Sequence, residues 1–157
     1  MKKKIILGAF AIAVLAVSCD KEKSTPSTTS VTYSVADRTE LLCKLPWKQI
    51  SGLLTTDSIV NKETIESCEK DDLTTFSKNG LVFFKGGTQL CTDESSVSND
   101  TLNWKFDATA SNLIMYKAGS EESYTYKINT LSNDKLVVLS DFSEAGKTIK
   151  YQATFTH

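Results

Sequence analysis

Strict alternation of large apolar and polar residues in the C-terminal half constrains the fold most. Tyr124-Thr125-Tyr126-Lys127-Ile128 and Ile149-Lys150-Tyr151-Gln152-Ala153-Thr154-Phe155 put every second side chain on one face, and Leu102, Trp104 and Phe106 repeat the pattern. A period of two belongs to a strand with one face buried and one wet. The pattern predicts about eight strands: Trp47–Leu54, Asp72–Ser77, Leu81–Lys85, Thr101–Asp107, Leu113–Lys117, Ser123–Asn129, Lys135–Ser140 and Thr148–Thr156. Turn signals stand between them at Lys78-Asn79-Gly80, Ala118-Gly119, Ser132-Asn133-Asp134 and Ala145-Gly146. A meander of this kind covers its apolar face by closing into a barrel or folding into a sandwich. Ahead of it, Ser34–Lys44 reads as a short helix, with Ser34 and Asp37 in a capping pattern and Pro46 just beyond its end. The segments Thr55–Asp71 and Thr92–Asp100 are longer than hairpins need and are expected to be loops at a barrel rim.

The N-terminus carries an address. Lys2-Lys3-Lys4 precede an apolar run, Ile5–Val17, of 13 residues. That run is shorter than the roughly 20 residues that span a bilayer and has the layout of a secretory signal. It ends in Leu15-Ala16-Val17-Ser18-Cys19, which resembles the lipobox at which a bacterial lipoprotein is cut before its lipid-bearing cysteine. Residues 1–18 are therefore expected to be a signal peptide, Cys19 the lipidation site, 19–35 a flexible tether and 36–157 the folded domain. The tether is rich in Ser, Thr and Lys, too polar to fold alone, and would span about 20–25 Å. The charged run Asp20-Lys21-Glu22-Lys23 opens it. It reads as a sorting signal or as plain solvation of the tether, and as a sorting signal it resembles either an inner-membrane retention or a surface-export signal.

Loss of the leader removes three of 18 basic and none of 19 acidic residues, which moves the formal net charge from −1 to −4. A weakly acidic chain lacks the basic surface that nucleic acid requires. It also lacks a polybasic cluster for anionic lipid.

Four cysteines occur, Cys19, Cys43, Cys68 and Cys91. With Cys19 lipidated, three remain in an oxidising compartment. The hairpin Asp72–Lys85 brings its two ends together, which makes Cys68 and Cys91 the expected pair and leaves Cys43 as a buried free thiol. Sequence alone leaves the pairings that include Cys43 open.

Five features taken together resemble the lipocalin-like domains of Bacteroidota lipoproteins. A short Leu-rich helix runs into a tryptophan strand, Leu41 to Ile50. An acidic block follows a cysteine, Cys68-Glu69-Lys70-Asp71-Asp72. Then come a Phe-x-x-x-Gly hairpin, Phe76 to Gly80, and a second cysteine, Cys91, after Gly86-Gly87. An alternating Trp104 strand leads into a Leu-rich meander, Leu131–Leu139. The resemblance implies an all-β fold: a small antiparallel up-and-down lipocalin-like barrel with a short N-terminal helix and one closed end, where Trp47 is core.

Catalytic apparatus is not legible. The one histidine, His157, is the last residue and reads as a frayed terminus, which leaves no His-based metal site or nucleophile–base pair. No phosphate loop or dinucleotide fingerprint occurs. No cofactor and no metal are expected. Glu66, Glu69, Asp71 and Asp72, like Asp93 and Glu94, read as solvated loop acids. Inward-facing strand aromatics remain, and Phe83, Trp104, Tyr124, Tyr126 and Tyr151 are the expected interior of the barrel. Such side chains line a cavity or simply fill a small barrel. Asp57-Ser58-Ile59 and Asp100-Thr101-Leu102 resemble short O-glycosylation motifs near loops.

Three functions are consistent with these features. The first is an outer-membrane-anchored lipoprotein that holds a small apolar or amphipathic ligand without catalysis. The second is an envelope module whose rim loops contact a protein or glycan partner. An enzyme is the third and has the least support.

Overall fold

A computed structural model describes residues 33–92 and 99–157. The leader, Cys19, most of the tether and the Asp93-Glu94 pair lie outside the described residues. The chain runs α1 (Val35–Leu42), β1 (Trp47–Thr55), β2 (Lys62–Glu63), a single 3-10 turn (Ser67–Glu69), β3 (Leu73–Phe76), β4 (Leu81–Lys85), β5 (Asn99–Phe106), β6 (Asn112–Tyr116), β7 (Ser123–Leu131), β8 (Leu136–Glu144) and β9 (Lys147–Thr156).

From β3 to β9 each strand pairs antiparallel with the next, and β1 pairs with both β3 and β9. Eight strands thus close into an antiparallel up-and-down barrel, with the two-residue β2 as an appendage on β1. Alternation explains the closure: an apolar face on every strand has no other cover than the opposite wall. The β8–β9 hairpin turns at Ala145 (φ 49°) and Gly146 (φ 76°), the two left-handed residues that a type I′ turn demands.

Closure is uneven. Strand β1 matches β9 from Lys48 to Thr55, but matches β3 only at Trp47 and Lys48. The reason is length, since four-residue β3 cannot flank nine-residue β1. Past Lys48 the β3 side of β1 faces the segment that holds β2 and the 3-10 turn. Thr55–Asp71 is therefore not simply a loop, as the sequence suggested.

One end of the barrel is plugged. Helix α1 starts on a capping box, in which Ser34 Oγ accepts from Asp37 N and the Asp37 carboxylate accepts from Ser34 N. It delivers Leu42 to the core, fully buried beside Trp47. Trp47 Nε1 donates to Leu42 O at 2.9 Å. Arg38 Nη1 donates to Ala110 O at 2.9 Å and ties the helix to the β5–β6 turn. His157 is not a frayed terminus. Its ring lies 3.9 Å from the Trp47 ring and its Nδ1 lies 2.9 Å from Pro46 O, because β9 runs alongside β1 to its last residues.

Cys68 and Cys91 form a disulfide with a Cα–Cα distance of 5.4 Å. Cys43 is a free thiol at the C-cap of α1, half-buried rather than buried, and burial pushes its pKa up. Of the two short glycosylation-like motifs, Asp57-Ser58-Ile59 is exposed between β1 and β2, whereas Asp100-Thr101-Leu102 lies within β5.

Candidate binding cavity

Above the plugged end the inward side chains leave between them a cavity of about 290 Å³. Its walls follow from strand parity. Strand β6 supplies Leu113 and Met115, β8 supplies Leu136 and Val138, and β9 supplies Tyr151, Ala153 and Phe155. Phe76 and Phe84 come from the β3–β4 hairpin, and Tyr126 from β7. The lining is mainly apolar, as small-molecule pockets are.

Polar groups enter at two places. Gln49 and Tyr151 meet on one wall, where Gln49 Nε2 donates to the Tyr151 hydroxyl at 2.7 Å. A bulge at Ile50 resets the pairing of β1 with β9. It leaves Gly52 facing the same wall. A Cβ at Gly52 would stand 2.7 Å from the Tyr151 hydroxyl, 3.0 Å from Thr64 Oγ1 and 3.1 Å from Gln49 Nε2. The missing side chain is what admits this cluster. Glu69, Asp72 and Lys85 form the second polar group, at the end of the lining that borders the 3-10 turn and the Cys68–Cys91 staple.

The segment from Lys62 to Asp72 lies across the gap between β1 and β3, and Ile65 from its middle lines the cavity. Both its ends are fastened. At the first, the Glu63 carboxylate accepts from Ser51 Oγ and Gly52 N, each at 2.7 Å, and from Ile65 N at 3.1 Å. These bonds hold the Glu63 pKa down at about 2. At the second, the Asp71 carboxylate accepts from Thr88 N, Thr88 Oγ1 and Gln89 N, and Asp72 accepts from Gly87 N at 2.7 Å. The Asp71 carboxyl is held below its ordinary range, first by the Thr88 amide. A Cβ at Gly87 would land on the Asp71 carboxyl, so a side chain there would push the Asp71 clasp aside. Asp71 and Asp72 are thus clasps and not the free loop acids expected. Glu66 lies 3.7 Å from Cys68 Sγ, but both sulfurs of that group are committed to the disulfide, which leaves one carboxylate to offer a metal.

The five aromatics expected in the interior separate into three groups. Tyr126 and Tyr151 line the cavity. Trp104 is buried but lies outside the lining. It meets Phe76 and Phe106 edge-on at 5.6 and 5.3 Å, and its Nε1 donates to Ser77 O at 3.0 Å, which pins the β3–β4 turn. Phe83 and Tyr124 are corrections. Phe83 is 39% exposed on the outer face, because Val82 and Phe84 take the inward positions of β4. Tyr124 shares the parity of Tyr126 but lies at the start of β7, where it is 57% exposed and outside the lining. Gln49 and Met115 are lining residues that the sequence reading missed, and Phe84 and Phe155, strand aromatics left out of the expected five, line the cavity as well. Parity carried a signal for two of them, since Gln49 is two residues from Trp47 and Phe155 four from Tyr151.

Burial raises the Tyr126 phenol above its ordinary 10.0, with smaller contributions from Tyr151 and Tyr124. Its hydroxyl therefore stays protonated and able to donate.

No curated protein sequence matches the chain. Solved structures do. A deswapped triple mutant of bovine odorant binding protein is 18% identical, with 72% of each chain covered and a TM-score of 0.44. Bovine odorant binding protein in complex with undecanal is 18% identical over 75% of this chain and 71% of that one, with a TM-score of 0.45. Lobster apocrustacyanin A1 is 15% identical over 80% of this chain and 71% of that one, with a TM-score of 0.45. The profile of the lipocalin-like domain family matches residues 29–138, well over half of the 157 residues, and the chain belongs to that family.

Proposed function

We propose that this protein is a membrane-anchored lipocalin-like lipoprotein that binds a small apolar or amphipathic molecule inside its barrel, without catalysis. The observation that carries the reading is the cavity of about 290 Å³, walled by Leu113, Met115, Leu136, Val138 and Phe155 and plugged at one end. A barrel of this strand number is often filled by its own side chains, and this one is not. Titration of the full chain with the neutral fluorescent probe N-phenyl-1-naphthylamine tests it. Saturable enhancement that a small apolar competitor reverses is the expected result, and a flat titration would overturn it.

The anchor is part of the same proposal. The lipobox-like Leu15–Cys19 supports lipidation at Cys19 and residence in the cell envelope, at the outer membrane. Two acyl chains on one cysteine are enough for stable attachment. In its bacterial host the protein should partition with membranes, and Cys19→Ser should release it; equal partitioning of the two would overturn the anchor.

A second reading, contact with an envelope protein or glycan through the rim, is favoured by the tip between β1 and β2. There Val60 is 77% exposed next to Ile59. Large exposed apolar side chains at a loop tip suit a contact surface. Crosslinking on membranes should capture a partner that Val60→Asp loses, and capture unchanged by that substitution would count against this surface.

A further inference from the structure

We propose that the cavity selects a neutral ligand that carries a carbonyl oxygen, held by the hydroxyls of Tyr126 and Tyr151. The inference rests on the barrel being a binding site and adds the chemistry of what it takes.

Hydrogen-bond accounting carries the argument. Tyr151 accepts from Gln49 Nε2 at 2.7 Å, so its own proton is directed elsewhere. Gly52, Thr64 and Gln49 pack around that hydroxyl and fix its place. The Tyr126 hydroxyl has no hydrogen-bond partner among the described residues, although its side chain lines the cavity. Register puts the two residues at one height. Lys127 is level with Leu139, which sets Tyr126 level with Ser140, and Ser140 is level with Tyr151. Two donors without acceptors among the described residues thus stand at one level, two strands apart, with Ser140, whose Oγ lies 3.5 Å from Thr125 O, on the strand between them. A ligand that takes these donors out of water without bringing an acceptor incurs a desolvation cost, and one that brings an acceptor avoids it. A carbonyl has two lone pairs and can accept from both.

Charge argues for a neutral head. Glu69 and Asp72 line the cavity together with a single cation, Lys85, while Lys127 and Lys150 share a separate depression with Tyr151 and are not part of this lining. A carboxylate would therefore lose hydration without an ion pair to replace it. A pure hydrocarbon fits the apolar wall but leaves both hydroxyls unpaired.

Displacement of N-phenyl-1-naphthylamine from the full chain separates the cases. Octane, 2-octanone and octanoate share a chain length and differ in the head. At neutral pH 2-octanone should displace the probe at about tenfold lower concentration than octane or octanoate, the size of effect one to two good hydrogen bonds give. Tyr126→Phe and Tyr151→Phe should each remove about three- to tenfold of the ketone-over-octane preference, and far-UV circular dichroism matching the parent shows the barrel intact. Equal displacement by octane and 2-octanone, a preference for octanoate, or a ketone preference that survives both substitutions together would overturn the selectivity while probe binding upheld the site. A probe that never binds would overturn both.

Discussion

Glu63 is a surface residue whose carboxylate does structural work, since it accepts from Ser51 Oγ, Gly52 N, Thr64 N and Ile65 N. Its folded pKa is about 2 against an ordinary 4.5. Between those values the unfolded chain binds a proton that the folded one does not. The stability it contributes is therefore present above pH 4.5 and lost as pH falls through about 2. Asp71 and Asp107 are shifted in the same direction by their own backbone bonds. The melting temperature should fall across this acid range, and Glu63→Gln should make the fall shallower. Parallel curves for the two proteins would remove Glu63 from the account. Trp47 makes a different contribution, a fully buried ring with one bond, to Leu42 O. Trp47→Phe leaves that carbonyl unpaired and a gap under α1, and denaturant unfolding should show a loss of about 2–4 kcal/mol. At this scale a polar neighbour made the inward face legible but not how far along a strand the cavity reaches, which is why Tyr124 was misplaced. Tyr126 and Tyr151 stand in clean alternation and line the cavity. Leu81-Val82-Phe83-Phe84 has no polar neighbour to mark its face, so of its two aromatics Phe83 was placed inside instead of Phe84, the one-residue slip that moves a whole strand face.

Elements were more legible than their contacts. Turn chemistry at Asn79-Gly80 bounded its hairpin closely, whereas the strand read as Lys135–Ser140 runs on to Glu144, up to Ala145-Gly146; the hairpin logic that paired Cys68 with Cys91 matches the disulfide observed. The two-residue β2 was not legible. Lys62-Glu63 has no period to detect, and its pairing depends on a bulge and on the short reach of β3. The strap from Lys62 to Asp72 is the element that this arrangement creates. The Cys68–Cys91 link closes a loop across a sequence separation of 23 residues, a length at which chain entropy alone gives about 3.5 kcal/mol. Cys68→Ser with Cys91→Ser should lower stability by about 2–4 kcal/mol in chemical unfolding. The same pair of substitutions frees one end of the strap that carries Ile65 over the cavity. Probe dissociation in stopped flow should then be faster than in the parent. An unchanged off-rate would mean that Glu63, Asp71 and Asp72 hold the strap without the staple.

For the molecule as a whole, the division into a plugged end and a hollow end is what makes a stable fold compatible with a binding site. The large side chains concentrate at the plug. Leu42 and Trp47 are fully buried there under α1, and the interlocked Phe76, Trp104 and Phe106 rings support the β3–β4 turn. Toward the other end the walls carry the small residues Gly52 and Ala153 side by side on β1 and β9. Ala153 is buried and still lines the cavity, so space and not solvent stands before it. A larger apolar residue at that position competes with the ligand and with nothing the fold needs. Ala153→Leu should weaken probe binding by tenfold or more, about 1.4 kcal/mol or greater. Added apolar contact in an unfilled space should leave the melting temperature equal or higher. Binding and stability would then move in opposite directions under one substitution, as a ligand cavity requires and a merely loose core does not. A variant that loses stability while probe affinity stays the same would show that Ala153 belongs to the packed core and that the ligand, if bound, sits elsewhere.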